Sequence, residues 1–138
     1  MTLKGGLIGV LVVAVVLYLA DWAFYMVLMP TPADLRAAMG SLMYTEANMP
    51  NPGWYFLMEI CAAGLLAFAC LQTTLTSMQA AQRGALVFMM VAGLMDVNWG
   101  MTLNVAFPVS MVFTELAYKA VMGGIGGVVM VMVAKRFS

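Results

Sequence analysis

Four apolar stretches, each about as long as a bilayer is thick, restrict the fold of this chain more than any motif in it. A helix needs about 20 apolar residues to cross a hydrocarbon core about 30 Å thick, so 138 residues have room for four crossings with short loops. Of these residues, 64% are hydrophobic and 9% are charged. The sequence therefore predicts an all-α integral membrane protein, a single transmembrane domain built as a four-helix bundle.

Proline, glycine and polar residues mark where these helices end. The predicted spans are residues 5–29, 54–71, 84–105 and 108–134, and the polar segment 72–83 is predicted to be a loop. The first span begins like a secretory signal, but Tyr18 occupies a position where a cleavage site requires a small residue. We therefore expect it to be a retained helix.

A short helix is predicted between the first two spans, at about residues 32–40. Thr31-Pro32-Ala33-Asp34 has the form of a capping box, with proline at the first helical position. Apolar residues then recur at a helical spacing that suits the membrane surface. This interfacial helix either shields the end of the bundle as a connector or covers the polar groups as a lid.

The basic residues predict the orientation of the bundle. Lys4, Arg83, Lys135 and Arg136 flank one side of the predicted spans, and Arg36 alone flanks the other. Because loops that carry Lys and Arg stay in the cytoplasm, both termini are predicted to be cytoplasmic.

Polar side chains concentrate at one depth of the bundle. Glu59 and Glu115 each follow a helix-starting proline by seven residues, which places them about 10 Å below the outer helix ends. Asp21 and Asp96 come to a similar depth on the first and third spans. Ionisable residues inside a membrane are costly and mark functional sites. The predicted ion or proton site comprises Asp21, Glu59, Asp96, Asn98, Asn104, Glu115 and Lys119.

Charge balance indicates what this site can bind. Four acids and one lysine would leave three excess negative charges, which desolvation opposes unless protons or cations join them. The spacing of Glu115 and Lys119 favours an ion pair on one helix face. Carboxylates with asparagine carbonyls are ligands for hard cations, although the sequence leaves the identity of any metal open.

The two halves of the chain share a pattern that is typical of an internal repeat. In each half, an Asp-bearing helix precedes a proline, and a helix with Glu seven residues beyond a proline follows. Such a repeat would be parallel, about an axis along the membrane normal.

Three short segments stand out in the first, third and fourth spans: Asp21-Trp22, Asp96-Val97-Asn98 and Glu115-Leu116-Ala117-Tyr118. They resemble the motifs of an uncharacterised bacterial family of small four-helix membrane proteins. That family has Asp-Trp in its first helix, Asp followed closely by Asn in its third, and Asp-x-x-Trp-Gly in its fourth. This chain departs from it in having Glu115 for Asp and Lys119 for Gly. The resemblance supports the fold and implies that the protein lies in a bacterial inner membrane. It does not imply any reaction.

Cofactor sites are not predicted. Cys61 and Cys70 lie nine residues apart on one helix, too far to form a disulfide, and the chain has no histidine. The 16 methionines invite a copper site, but their spacing is better explained by packing and lipid contact. Close helix packing is predicted at Gly5, Gly9, Gly123 and Gly127, which form two GxxxG pairs.

The leading functional hypothesis is a homo-oligomeric membrane protein whose buried carboxylates bind or conduct a proton or small cation. The alternative is an accessory or assembly subunit of a larger membrane complex, in which the polar groups join helices. A membrane enzyme that acts on lipid ranks third, because no nucleophile motif is present and no catalytic residue is predicted. The zero net charge argues against nucleic acid as a partner.

Overall fold

The fold is known from a computed structural model that describes residues 2–29, 33–40, 51–72, 74–102 and 108–138. Within these ranges the chain forms five α-helices, which we label in chain order. They are α1 (Leu3–Ala23), α2 (Ala33–Met39), α3 (Pro52–Leu71), α4 (Ser77–Thr102) and α5 (Val109–Arg136). Four helical stretches are long and apolar enough to cross a membrane: Leu3–Leu28, Pro52–Leu71, Ser77–Asn98 and Val109–Arg136. The prediction of four membrane-spanning helices is confirmed.

Side chains that cap the first turns determine where the helices begin. The Thr2 hydroxyl accepts a hydrogen bond from the Gly5 amide, and the Asn51 side chain accepts one from Gly53. Both helix starts lie two residues before the predicted ones. N-terminal amides that lack an intrahelical partner explain the preference for these polar caps.

The predicted loop at residues 72–83 is wrong for its second half, because α4 begins at Ser77. Thr76 and Gln79 form a reciprocal capping box, in which each side chain accepts a hydrogen bond from the other residue's backbone amide. Arg83 therefore lies on α4, where its guanidinium donates to the Ala69 carbonyl of α3.

The first span ends in a π-helical turn, Phe24–Leu28, that continues directly from α1. The Met29 amide donates to the Phe24 carbonyl five residues earlier, at 2.7 Å. A π-helical turn inside a longer helix is rare and often lies beside a functional site. This one adjoins the polar groups described below.

Glycines permit α4 and α5 to pack backbone to backbone. A Cβ atom added at Gly84 of α4 would overlap the Gly123 carbonyl of α5, and one added at Gly127 would overlap the Ala80 carbonyl. This pair has the most extensive contact of any two helices among the described residues. Close approach of this kind compensates for the weak hydrophobic drive between helices in lipid.

The core lies where α1, α3 and α5 meet. Gly5 and Gly9 of α1 lie against Ala134 and Met130 of α5, so that α1 also approaches closely. Four of the largest fully buried side chains fill the space between these helices: Leu17, Leu66, Met130 and Val13. A fifth, Cys70, packs in a second cluster with Leu75, Ala80 and Val131. Both α3 and α5 contact the three other long helices, and α5 has the more extensive contacts, so it is the central helix of the bundle.

Both termini lie at one end of the bundle. The Thr2 amide donates to the Ser138 hydroxyl at 3.3 Å, and Lys135 donates to the Leu75 carbonyl at 3.2 Å. The connection between α3 and α4 therefore lies at the same end as the two termini. We call this the terminal end, and the end at which α3 and α5 begin is the opposite end.

Candidate functional site

An ion pair joins α1 to α5 inside the bundle. The Lys119 Nζ atom lies 2.5 Å from Asp21 Oδ2, and the Tyr118 hydroxyl donates to Asp21 Oδ1 at 2.7 Å. The side chains of Asp21 and Lys119 are only 12% and 19% exposed. Both oxygens of the Asp21 carboxylate therefore already have donors, which is what a buried charge requires.

Glu59 of α3 is the most deeply buried acid of this site. It is 4% exposed, and its carboxyl lies within hydrogen-bonding range of the Asp21 carboxyl. Among the described residues, none donates an N–H or O–H group to Glu59. A second acid is thus buried beside an ion pair that is already balanced.

Tyr25 connects the π-helical turn to a further acid. Its hydroxyl donates to Glu115 Oε1 at 2.5 Å. The Lys119 Nζ atom lies 5.4 Å from the centre of the Tyr25 ring and 5.5 Å from that of Tyr118, within the range of cation–π attraction. The two tyrosines thus bind acids through their hydroxyls and surround the lysine with their rings.

Aromatic stacking fixes the position of these tyrosines. The rings of Phe24 and Tyr118 are parallel, with centres 3.7 Å apart. Phe24 also meets the Tyr25 ring edge to face. Phe24 is buried, so the aromatic group closes the site on the side of the π-helical turn.

We refer to Asp21, Tyr25, Glu59, Glu115, Tyr118 and Lys119 together as the polar cluster. From the positions of Glu59, Glu115 and Lys119 along α3 and α5, it lies about 10 to 15 Å from the opposite end. Three helices and the π-helical turn supply its side chains.

The remaining predicted site residues differ in their placement. Asp96 of α4 faces Glu115 closely enough for their charges to interact, and its Oδ2 atom is buried with no hydrogen-bond partner among the described residues. Asn98 is exposed and does have an interaction partner. Asn104 lies outside the described residues. Asp96 therefore borders the polar cluster.

The predicted ion pair between Glu115 and Lys119 is wrong. Lys119 instead pairs with Asp21 across the helix interface, and Glu115 accepts the Tyr25 hydroxyl. Residues four apart share a helix face, but a neighbouring helix here offers Lys119 a carboxylate at shorter range. The pair therefore links two spans rather than stabilising one.

Sequence reasoning missed Tyr25 and Tyr118. A specific signal was present, since Tyr25 follows Asp21 by four residues and so shares its helix face. Tyr118 is also the immediate neighbour of Lys119.

Metal ligands do not gather in the part of the chain that the structure describes. No group of three His, Cys, Asp or Glu side chains there could hold a metal ion. Cys61 is exposed, Cys70 is buried, and both are free thiols, as their spacing predicted.

Comparison with known proteins finds no relative: no protein-family model, no curated protein and no solved structure matches the chain. The function must therefore be argued from the polar cluster itself.

The hydrogen bond from Tyr25 to Glu115 yields a first test. We expect Tyr25→Phe to lower the free energy of unfolding in detergent by about 1 kcal/mol, since hydrogen bonds between membrane helices average about 0.6 and reach about 1.7 kcal/mol. Thermal unfolding of the purified protein measures this. Tyr18→Phe is the matched control, because Tyr18 meets Phe56 edge to face through its ring. Equal stability of the two variants would contradict a stabilising Tyr25 hydrogen bond.

Proposed function

We propose that this membrane protein binds a proton or a small cation at the polar cluster and passes it across the bilayer. One observation supports this most directly. Glu59 is almost fully buried beside Asp21, and the one lysine of the cluster is already paired with Asp21. Burying an uncompensated carboxylate is costly, so this position gains stability when a positive ion joins it.

The surrounding acids add to this argument. Glu115 has a hydroxyl donor but no cation within ion-pair distance among the described residues. Asp96 lies close to Glu115, and its buried Oδ2 atom has no hydrogen-bond partner in the described part of the chain. Intramembrane acids of this kind typically line ion or proton pathways. We propose that they extend the path from Glu59 towards α4.

The working unit in this proposal is a homo-oligomer, because four helices enclose too little space for a continuous path of their own. Its termini would face the cytoplasm, on the basis of the basic residues near them. A parallel two-helix repeat and membership of the uncharacterised bacterial family also remain proposals. Of the residues that carry the resemblance, Asp21, Glu115 and Tyr118 belong to the polar cluster and Asp96 borders it, whereas Trp22 and Asn98 are exposed.

Thermal stability of the purified protein tests the proposal. We expect the melting temperature in detergent to depend on pH between 5 and 8, or on one cation from a panel of mono- and divalent chlorides. An ion that binds only the folded state adds about 2.7 kcal/mol at 100 times its Kd. Glu59→Gln should abolish the response, while Asp34→Asn, which removes an acid between the spans, should retain it. A flat wild-type response in all conditions would contradict ion binding.

The second candidate is an accessory subunit of a larger membrane complex. It is favoured by two contacts that act as structural polar contacts between membrane helices do. The ion pair joins α1 to α5, and the Tyr25 hydrogen bond joins the π-helical turn to α5. In that case the protein purified under mild conditions should bring a stoichiometric larger partner with it. Purification as a stable homo-oligomer would argue against this candidate.

A further inference from the structure

The donors that already occupy the polar cluster indicate which ion it holds. We infer that this ion is a proton, shared between the carboxyl groups of Glu59 and Asp21, and not a metal cation. This inference rests on the proposed function, in which the polar cluster binds a positive ion, and it identifies that ion.

Hydrogen-bond donors already occupy both oxygens of Asp21 and one oxygen of Glu115. Asp21 Oδ1 accepts the Tyr118 hydroxyl, and Asp21 Oδ2 accepts the Lys119 ammonium. Glu115 Oε1 likewise accepts the Tyr25 hydroxyl. Each of these donors directs a hydrogen atom at the carboxylate, where a metal would have to sit. Hard cations such as Ca²⁺ and Mg²⁺ require about six or more oxygen ligands, and three of the six carboxylate oxygens of the polar cluster already accept a hydrogen bond.

The charge of Lys119 also opposes a second cation. Its ammonium lies 2.5 Å from Asp21 Oδ2, and like charges at such short range repel strongly in a region of low dielectric constant. The aromatic faces of Tyr25 and Tyr118 hold the ammonium at the site. A metal ion at Asp21 would have to displace Lys119 into apolar surroundings.

A proton meets none of these obstacles. The charged and titratable groups that face Glu59 are Asp21 on α1 with Tyr118 and Lys119 on α5. Two carboxylates at hydrogen-bonding range repel each other unless a proton lies between them. The charges of Lys119 and Asp21 cancel, so one proton on Glu59 brings the net charge of these three side chains to zero. Glu59 then donates an O–H to Asp21, and the pair needs no coordination shell.

Exchange of this proton balances without any further reactant. An incoming proton bonds to the Glu59 carboxylate, and the same O–H bond breaks when the proton leaves for water or for the next acid of the path. No other covalent bond changes.

Infrared spectroscopy of the purified protein tests this inference directly. In a medium whose only added salt is choline chloride, wild type should show the carbonyl stretch of a protonated, buried carboxyl group, and the band should shift in D₂O. Glu59→Gln should lose the band. Glu59→Asp keeps a carboxyl group, so it should retain the band at a shifted position. Asp34→Asn is the control and should retain the band without a shift.

The outcomes separate this inference from the function on which it rests. If Glu59→Gln leaves the spectrum unchanged, while a metal cation stabilises wild type but not Glu59→Gln, the proton assignment is wrong and the ion site stands. If neither a carboxyl band nor a cation response depends on Glu59, both the assignment and the proposed function are wrong. If Glu59→Gln does not fold, the shifted band of Glu59→Asp decides between these outcomes.

Discussion

Gly84→Ala should destabilise the bundle strongly, although it adds a single methyl group. The new Cβ atom would overlap the carbonyl of Gly123 and lie 3.3 Å from Gly127 Cα. These are backbone atoms, so neither helix can yield without moving as a whole. Overpacking costs about 1 to 3 kcal/mol and occasionally more, and we expect the upper end of this range. Thermal unfolding in detergent measures the effect.

Gly64→Ala is the matched control for this substitution. A Cβ atom at Gly64 meets no atom within 4 Å, and alanine favours helix over glycine by up to about 1 kcal/mol. The two substitutions should therefore shift the melting temperature in opposite directions. A shift of the same sign and size for both would show that α4 and α5 do not pack as closely as described.

Lys119→Met should have the largest effect of any substitution in the polar cluster. It leaves the Asp21 carboxylate buried without its cation, although the Tyr118 hydroxyl still donates to it. Removing one partner of a buried ion pair costs about 3 to 5 kcal/mol. Lys4→Met is the control, because Lys4 is exposed at the terminal end. Thermal unfolding of both variants measures the difference.

A double variant separates loss of the ion pair from loss of packing. Asp21→Asn in the Lys119→Met background removes the uncompensated charge, so it should recover a large part of the lost stability. If the double variant is no more stable than Lys119→Met alone, the lysine acts through its apolar stem and the ion pair contributes little.

The spans could be predicted from sequence because length and apolar composition suffice to define them. Their boundaries depend on local signals. Because Thr76 and Gln79 form a capping box, α4 begins seven residues before its predicted start, within a segment whose polarity indicated a loop. A capping box is defined by its first and fourth residues, and here it was visible in Thr76-Ser77-Met78-Gln79.

The acids of the site could be identified from sequence, whereas their partners could not. Helical spacing shows which residues share a face of one helix, so it suggested Glu115 as the ion-pair partner of Lys119. It does not show which residue of another helix lies opposite. The pairing of Lys119 with Asp21, 98 residues earlier in the chain, depends on the packing of α1 against α5, and that packing in turn depends on Gly5 and Gly9.

The hydrogen bond between Thr2 and Ser138 has a practical consequence for subunit counting. Because both ends of the chain lie side by side, the last residue of one copy and the first of a second copy would emerge on the same membrane side. A short flexible linker could therefore fuse two copies into one eight-span polypeptide without inverting either. Tandem chains of this design, with Glu59→Gln in one copy at a time, would reveal how many intact sites an assembly needs to work.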